Sequence, residues 1–122
     1  MPLVLLHGWP EFWYVYHKNV HTLAEHFDVI VPDLRGFGDT DKPGLPNPPG
    51  ALLDLLVEDL SGFTAALGIH RFGLVSHDVG SFVAQSFARA YPEKLIGLFF
   101  FHCVYPGIGK RWLEPESVKR LV

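Results

Sequence analysis

The hydrophobic positions of this chain fall into four short, unbroken runs separated by longer segments of mixed character. Leu3–Leu6, Val29–Val31, Phe72–Val75 and Leu95–Phe101 are apolar without alternation. Strands read this way when a parallel sheet buries both of their faces. Between them, Phe12–Phe27 carries Val20, Leu23 and Phe27 at helical spacing, and Leu52–Leu67 places Leu53, Leu56, Leu60, Phe63 and Leu67 on one stripe before Gly68. Val79–Tyr91 reads as a third helix, ended by Pro92. The alternation predicts an α/β fold, a mostly parallel sheet with helices on both faces. Ligands of such sheets bind beyond the carboxyl ends of the strands. His7–Pro10, Asp33–Gly38, Ser76–Gly80 and His102–Pro106 all follow strand ends, so four loops are expected to share one mouth.

Composition narrows the classes. The 122 residues suit one domain, with 48% hydrophobic and 19% charged residues and a formal charge of -3. No basic excess points to nucleic acid. The longest apolar run, Leu95–Phe101, is well short of the ~20 residues that cross a bilayer and reads as a buried strand. Met1–Leu6 lacks a charged leader and is not expected to be a signal peptide. The single cysteine, Cys103, excludes an internal disulfide and fits a reducing, cytoplasmic setting. The Pro/Gly-rich stretch Lys42–Gly50 reads as a loop within one domain.

The chemistry centres on Ser76-His77-Asp78-Val79-Gly80. Small residues two positions either side of Asp78, between a strand and a helix, are the pattern of a nucleophile elbow. An ordinary aspartate at this junction caps the helix and contributes about 1 kcal/mol. The flanking Ser76 and Gly80 favour the elbow, because tight packing there needs small residues. Upstream, His7-Gly8-Trp9-Pro10 turns sharply at a strand end. The backbone N–H groups of Trp9 and Val79 would then form a two-donor oxyanion hole. A carboxylate nucleophile attacks an sp3 carbon that bears a leaving group and gives an alkyl ester. A histidine-activated water then attacks the ester carbonyl. The substrate expected is an epoxide or an alkyl halide.

Together, His7–Tyr14 (HGWPEFWY), Asp33–Pro43 (DLRGFGDTDKP) and Ser76–Gly80 (SHDVG) resemble the α/β-hydrolase fold, in its epoxide hydrolase and haloalkane dehalogenase branch. The resemblance covers nearly the whole chain. It implies Asp78 as nucleophile, Trp9 and Val79 as oxyanion donors, and His7, Gly8, Pro10, His77 and Gly80 as active-site loop residues. Ser76 stands where the family usually has glycine. Val79 is neither the tryptophan nor the arginine with which dehalogenases follow the nucleophile, so epoxide hydrolysis is preferred by elimination. No cofactor or metal is implied; the partners are the small substrate and water. A dehalogenase, or a non-catalytic remnant that keeps the fold for interaction, are the alternatives.

The family also uses a cap with tyrosines, a late acid and a late histidine, none found here at matching positions. Residues 1–105 are expected to be a partial core and 106–122 the start of a cap, in a fragment inactive on its own. The strands would take the spatial order second, first, third, fourth, with both edges open and one face covered only by Phe12–Phe27. Among weaker marks, His17, His21 and His26 read as a solvated helix face more than a metal site. Asp33 and Arg35 are expected to pair within their loop, and Asp54, Glu58 and Asp59 to be a solvated face. Cys103 is expected to be an inert buried thiol.

Overall fold

The structure is a computed structural model and describes residues 1–103. The expected start of a cap at residues 106–122 lies outside the described residues. Four strands form one sheet: β1 (Pro2–Leu6), β2 (Asp28–Ile30), β3 (Phe72–His77) and β4 (Leu95–Phe101). Their order is β2-β1-β3-β4 and every pairing is parallel. Both the order and the parallel sense follow the sequence reading.

β1 lies inside the sheet, and its side chains divide by the two-residue pleat. Val4 and Leu6 enter one core with Leu34, Leu56, Val57, Leu60, Phe72, Leu74, Val83 and Phe87. That face is covered by α2 (Leu52–Ala66) and α3 (Val79–Ala90). Leu3 and Leu5 enter a smaller core on the other face, with Tyr16, Val20, Leu23 and Phe27. Both faces of β1 are therefore dry, which is why its sequence does not alternate.

Three elements differ from the sequence reading. The expected helix Phe12–Phe27 is a 3-10 turn, Trp13–Tyr16, followed by the shorter α1, His17–Ala24. The Trp13 N–H donates to Asp33 Oδ1, which anchors the start of the turn to the next loop. At the far end the N–H groups of His26 and Phe27 both return to the Leu23 carbonyl, and the chain enters β2 through the Asp28 N–H on the Met1 carbonyl. In α2 the buried residues are Leu56, Val57, Leu60 and Thr64, while Phe63 and Leu67 are exposed. The hydrophobic stripe is thus wider than the contact face. Gly68, at φ +70°, ends the helix as expected. Finally, β4 is not buried on both faces. Leu95 and Leu98 pack on the core, whereas Ile96, Phe99 and Phe101 are exposed. β4 is an edge strand, and among the described residues nothing covers its second face.

The polar expectations shift too. Arg35 does not pair with Asp33; its guanidinium reaches Asp59 on α2 with two bonds, one of them Nε to Oδ2 at 2.6 Å. Asp33 instead accepts the N–H groups of Trp13 and Asp39. Each oxygen of the Asp33 carboxylate is thus committed to a backbone donor, while Arg35 finds its carboxylate on α2. Asp59 and Glu58 are not merely solvated, since Glu58 accepts the Tyr91 hydroxyl at 2.7 Å. His21 and His26 are exposed, and the His17 ring stacks on Tyr14 at 4.2 Å. Cys103 is half-buried and accepts Gln85 Nε2 at 3.2 Å. Among the described residues no helix is long and apolar enough to cross a membrane.

Candidate active site

The carboxyl ends of β1 and β3 are paired at Leu6 and Ser76, so the residues that follow them leave the sheet side by side. His7 is fully buried. Its Nε2 accepts the Leu34 N–H at 2.9 Å and its Nδ1 meets the Gly8 carbonyl at 2.9 Å. A backbone N–H can only donate, so Nε2 carries the lone pair and Nδ1 the hydrogen. His7 therefore ties the loop after β1 to the loop after β2 and has no nitrogen left for chemistry. The next turn is closed by the Glu11 N–H on the Gly8 carbonyl at 3.1 Å, across exposed Trp9 and Pro10.

Asp78 sits at the sharp junction between β3 and α3, with φ 50° and ψ -124°. This is a conformation that side chains other than glycine's disfavour by about 1–3 kcal/mol, and such residues concentrate at functional sites. Its carboxylate Oδ1 accepts the Trp9 N–H at 2.9 Å. Gly8 lies so close that a Cβ there would stand 2.6 Å from Asp78 Cβ. The Trp9 amide first, and the Val79 amide second, hold the Asp78 carboxyl below its ordinary value. Burial opposes them, while His77 and His102 add to the lowering. Ser76 and Gly80, the two small flanks, are both buried, and Ser76 Oγ finds no partner among the described residues. The structure thus brings Trp9, Asp78 and Val79 together, with Gly8 and Gly80 as the spaces that allow it.

His77 is held from three sides. Its Nε2 meets Glu11 Oε2 at 2.6 Å, its Nδ1 meets the Tyr16 hydroxyl at 3.3 Å, and its ring stacks on Phe101 at 5.4 Å. Glu11 Oε2 also accepts the Gly8 N–H at 3.3 Å, and the Tyr16 hydroxyl donates to the Leu6 carbonyl at 2.9 Å. Glu11 fell within the His7–Tyr14 motif and His102 at the head of a loop expected at the mouth, but neither was given a role from the sequence, and Tyr16 was not singled out. Glu11 and Tyr16 act across the sheet, and no local pattern marks that. His102 stands out only by its backbone, at φ 54°. A cleft of about 690 Å³ lies apart from this cluster, between the Asp33 loop and α2, with Arg35, Asp39, Asp59 and Phe63 in its wall; Asp78 is not part of its lining.

Tyr16 carries a consequence for stability. Burial first, and the Glu11 charge second, push its phenol from 10.0 up to about 12. The raised value favours the protonated fold, so this contribution is complete below about pH 10 and is lost as the pH rises through about 12. Tyr16→Phe is expected to remove the loss of stability across that window, read by urea unfolding at pH 9 and pH 11. An unchanged slope would refute the assignment.

A family model described as the alpha/beta hydrolase fold matches residues 1–100. A soluble epoxide hydrolase of Corynebacterium sp. is 39% identical over 109 residues, covering 89% of this chain and 36% of that protein. Among solved structures, an epoxide hydrolase mutant from Bacillus megaterium superimposes with a TM-score of 0.78 at 28% identity, covering 98% of this chain and 44% of that one. A Salmonella enterica protein proposed to be an acyltransferase superimposes with a TM-score of 0.84 at 33% identity, covering 98% and 40%. The chain spans about a third of the length of the curated relatives it matches. On the extent of the family match, and on a parallel sheet with helices on both faces, this chain belongs to the α/β-hydrolase fold family.

Proposed function

We propose that this chain carries the nucleophile of an epoxide hydrolase-type enzyme, with Asp78 as that nucleophile. The observation that carries the reading is the Trp9 N–H on Asp78 Oδ1 at 2.9 Å, at a residue with φ 50°. Oδ2 attacks a ring carbon of the epoxide, and the carbon–oxygen bond of the ring breaks toward the ring oxygen. The ring oxygen takes a proton, which the resemblance assigns to tyrosines of the cap, and Oδ1 becomes the carbonyl oxygen of a hydroxyalkyl ester. It already lies on the Trp9 N–H, with the Val79 N–H beside it. When water adds to that carbonyl, the negative charge develops where the donors stand, which is the arrangement that lowers such barriers. The resemblance assigns activation of that water to a histidine. The lowered pKa of Asp78 supports the same role, since it keeps the carboxylate ionised into mildly acidic solution.

The acyl transfer proposed for the Salmonella protein fits Asp78 less well. Acyl transfer through a carboxylate passes through a mixed anhydride, which is more reactive than the ester it would come from. A dehalogenase would use the same nucleophile, and the substrate decides between the two. The test is intact-mass spectrometry of the protein after incubation with styrene oxide, with diol formation followed in parallel. An adduct of one epoxide, or diol, is expected, and Asp78→Ala abolishes both. Adduct and halide release from a haloalkane, with neither product from the epoxide, would move the protein to the dehalogenases. No adduct or product from either compound would defeat the nucleophile reading.

A further inference from the structure

We propose that Tyr16 is a positioning residue of this site: together with Glu11 it fixes the His77 ring, and through that ring it keeps the Asp78 carboxylate on the Trp9 N–H. The inference rests on Asp78 being the nucleophile and deepens that reading.

Position comes first. Backbone pairing between β1 and β3 stops at Leu6 and Ser76. Beyond that pair the two active-site loops run on without a ladder, yet the Trp9 N–H meets Asp78 Oδ1 at 2.9 Å. Two side chains bridge the loops where the ladder has ended. The Tyr16 hydroxyl donates to the Leu6 carbonyl at 2.9 Å and meets His77 Nδ1 at 3.3 Å. Glu11 Oε2 accepts the Gly8 N–H at 3.3 Å and meets His77 Nε2 at 2.6 Å. Each bridge has one end on the backbone around His7 and the other on the ring that precedes Asp78. His7 itself ties its loop to the loop after β2 and not to the elbow. The tie to the elbow therefore falls to Tyr16 and Glu11.

Rigidity is the second argument. The Tyr16 side chain is buried against Leu3 and Leu5, so its hydroxyl is a fixed point. Glu11 is held at the end of its turn by its own N–H on the Gly8 carbonyl at 3.1 Å. The His77 ring stacks on Phe101 at 5.4 Å and meets the Tyr16 ring edge-on at 5.9 Å. A ring bonded at both nitrogens and packed against two aromatic rings cannot turn without breaking several contacts at once.

Tolerance is the third. An oxyanion donor acts only within about 2.7–3.1 Å of the oxygen it serves. Gly8 and Asp78 already approach so closely that a Cβ on Gly8 would stand 2.6 Å from Asp78 Cβ. A bare turn of the Gly8–Trp9 kind has no side chain of its own with which to keep such a spacing. The clamp on His77 supplies it from outside the turn.

The test uses Tyr16→Phe, which removes the hydroxyl and keeps the ring, and Glu11→Gln, which keeps an acceptor for the Gly8 N–H. Tyr16→Phe changes no charge near neutral pH, because burial and Glu11 push the phenol up to about 12. The Asp78 carboxyl is titrated by carbon NMR, and the adduct with styrene oxide is timed by intact mass over a range of epoxide concentrations. The Trp9 N–H is the first cause of the lowered Asp78 pKa, so a loosened clamp raises it toward the ordinary carboxylate value. Tyr16→Phe is expected to show that rise. It should also lower the saturating adduct rate by about 10-fold with the half-saturating concentration unchanged, part of the roughly 100-fold that a misplacement of about 1 Å costs. Glu11→Gln, the conservative change, should lose less. The double variant should lose less than the product of the two single effects, because both act through one ring. An Asp78 titration and an adduct rate equal to wild type in both variants, whatever their stability, overturns the inference. So does a lowered rate with an unchanged titration. Absence of any adduct from the wild-type protein defeats the nucleophile reading instead, and the titration, which needs no substrate, still decides whether Tyr16 holds Asp78 in place.

Discussion

Replacing Asp78 by glycine is expected to make the protein more stable while abolishing ester formation. The backbone of Asp78, at φ 50° and ψ -124°, lies where glycine is at ease and other residues are not. The strain is worth about 1–3 kcal/mol. Glycine gives part of this back, about 0.5–1 kcal/mol, through the freedom it adds to the unfolded chain. The N–H groups of Trp9 and Val79 lose an acceptor, but at this open mouth water replaces it. The net expectation is a gain of about 1 kcal/mol, or roughly 4 °C in Tm for a domain of this size. Asp78→Ala should show no such gain, because alanine keeps the Cβ that causes the strain. The pair is read by thermal unfolding, with intact mass confirming that neither variant forms the epoxide adduct. A glycine variant no more stable than the alanine variant would mean that Asp78 stores no strain. Such a trade of stability for chemistry is common at active sites.

Gly80→Ala should have the opposite sign from the one helix propensity gives. Gly80 lies in the first turn of α3, where alanine would ordinarily favour the helix by up to about 1 kcal/mol. In the fold, a Cβ at this position would stand 2.5 Å from the His7 carbonyl oxygen and 2.8 Å from that of Leu6. Both obstacles are backbone, and β1 is held on both sides by its neighbours β2 and β3. No side chain can rotate out of the way. The start of α3 must lift from β1, at a cost of about 3 kcal/mol, the upper end for overpacking. The lift carries Asp78 away from the Trp9 N–H. A displacement of about 1 Å costs on the order of 100-fold in rate. Denaturant unfolding and the adduct rate check the two effects together. A variant as stable as wild type would show that the contact between α3 and β1 is looser than 2.5 Å implies.

The alternation of apolar runs and amphipathic segments determined the sheet, its parallel sense and the helices around it. It did so because a strand dry on both faces has one pattern and a helix against a sheet has another. The same local logic marked Asp78, since the small residues at Ser76 and Gly80 are needed within the turn itself. Helix ends were less legible. The start of α1 depends on Asp33 capturing the Trp13 N–H from another loop, and a window on the sequence holds no trace of that bond. The exposed face of β4 was illegible for a similar reason. Leu95–Phe101 is apolar throughout, and only its place at the sheet edge separates the packed residues from the bare ones. Residues that act at a distance came from tertiary structure alone. Arg35 finds Asp59 and not Asp33, and Glu11 joins Gly8 to His77, because segments far apart in sequence end together in space. What the chain wrote locally was which turns must be tight and which faces must be dry. Which polar group meets which was decided by the register of the sheet, a property no short stretch of the chain contains.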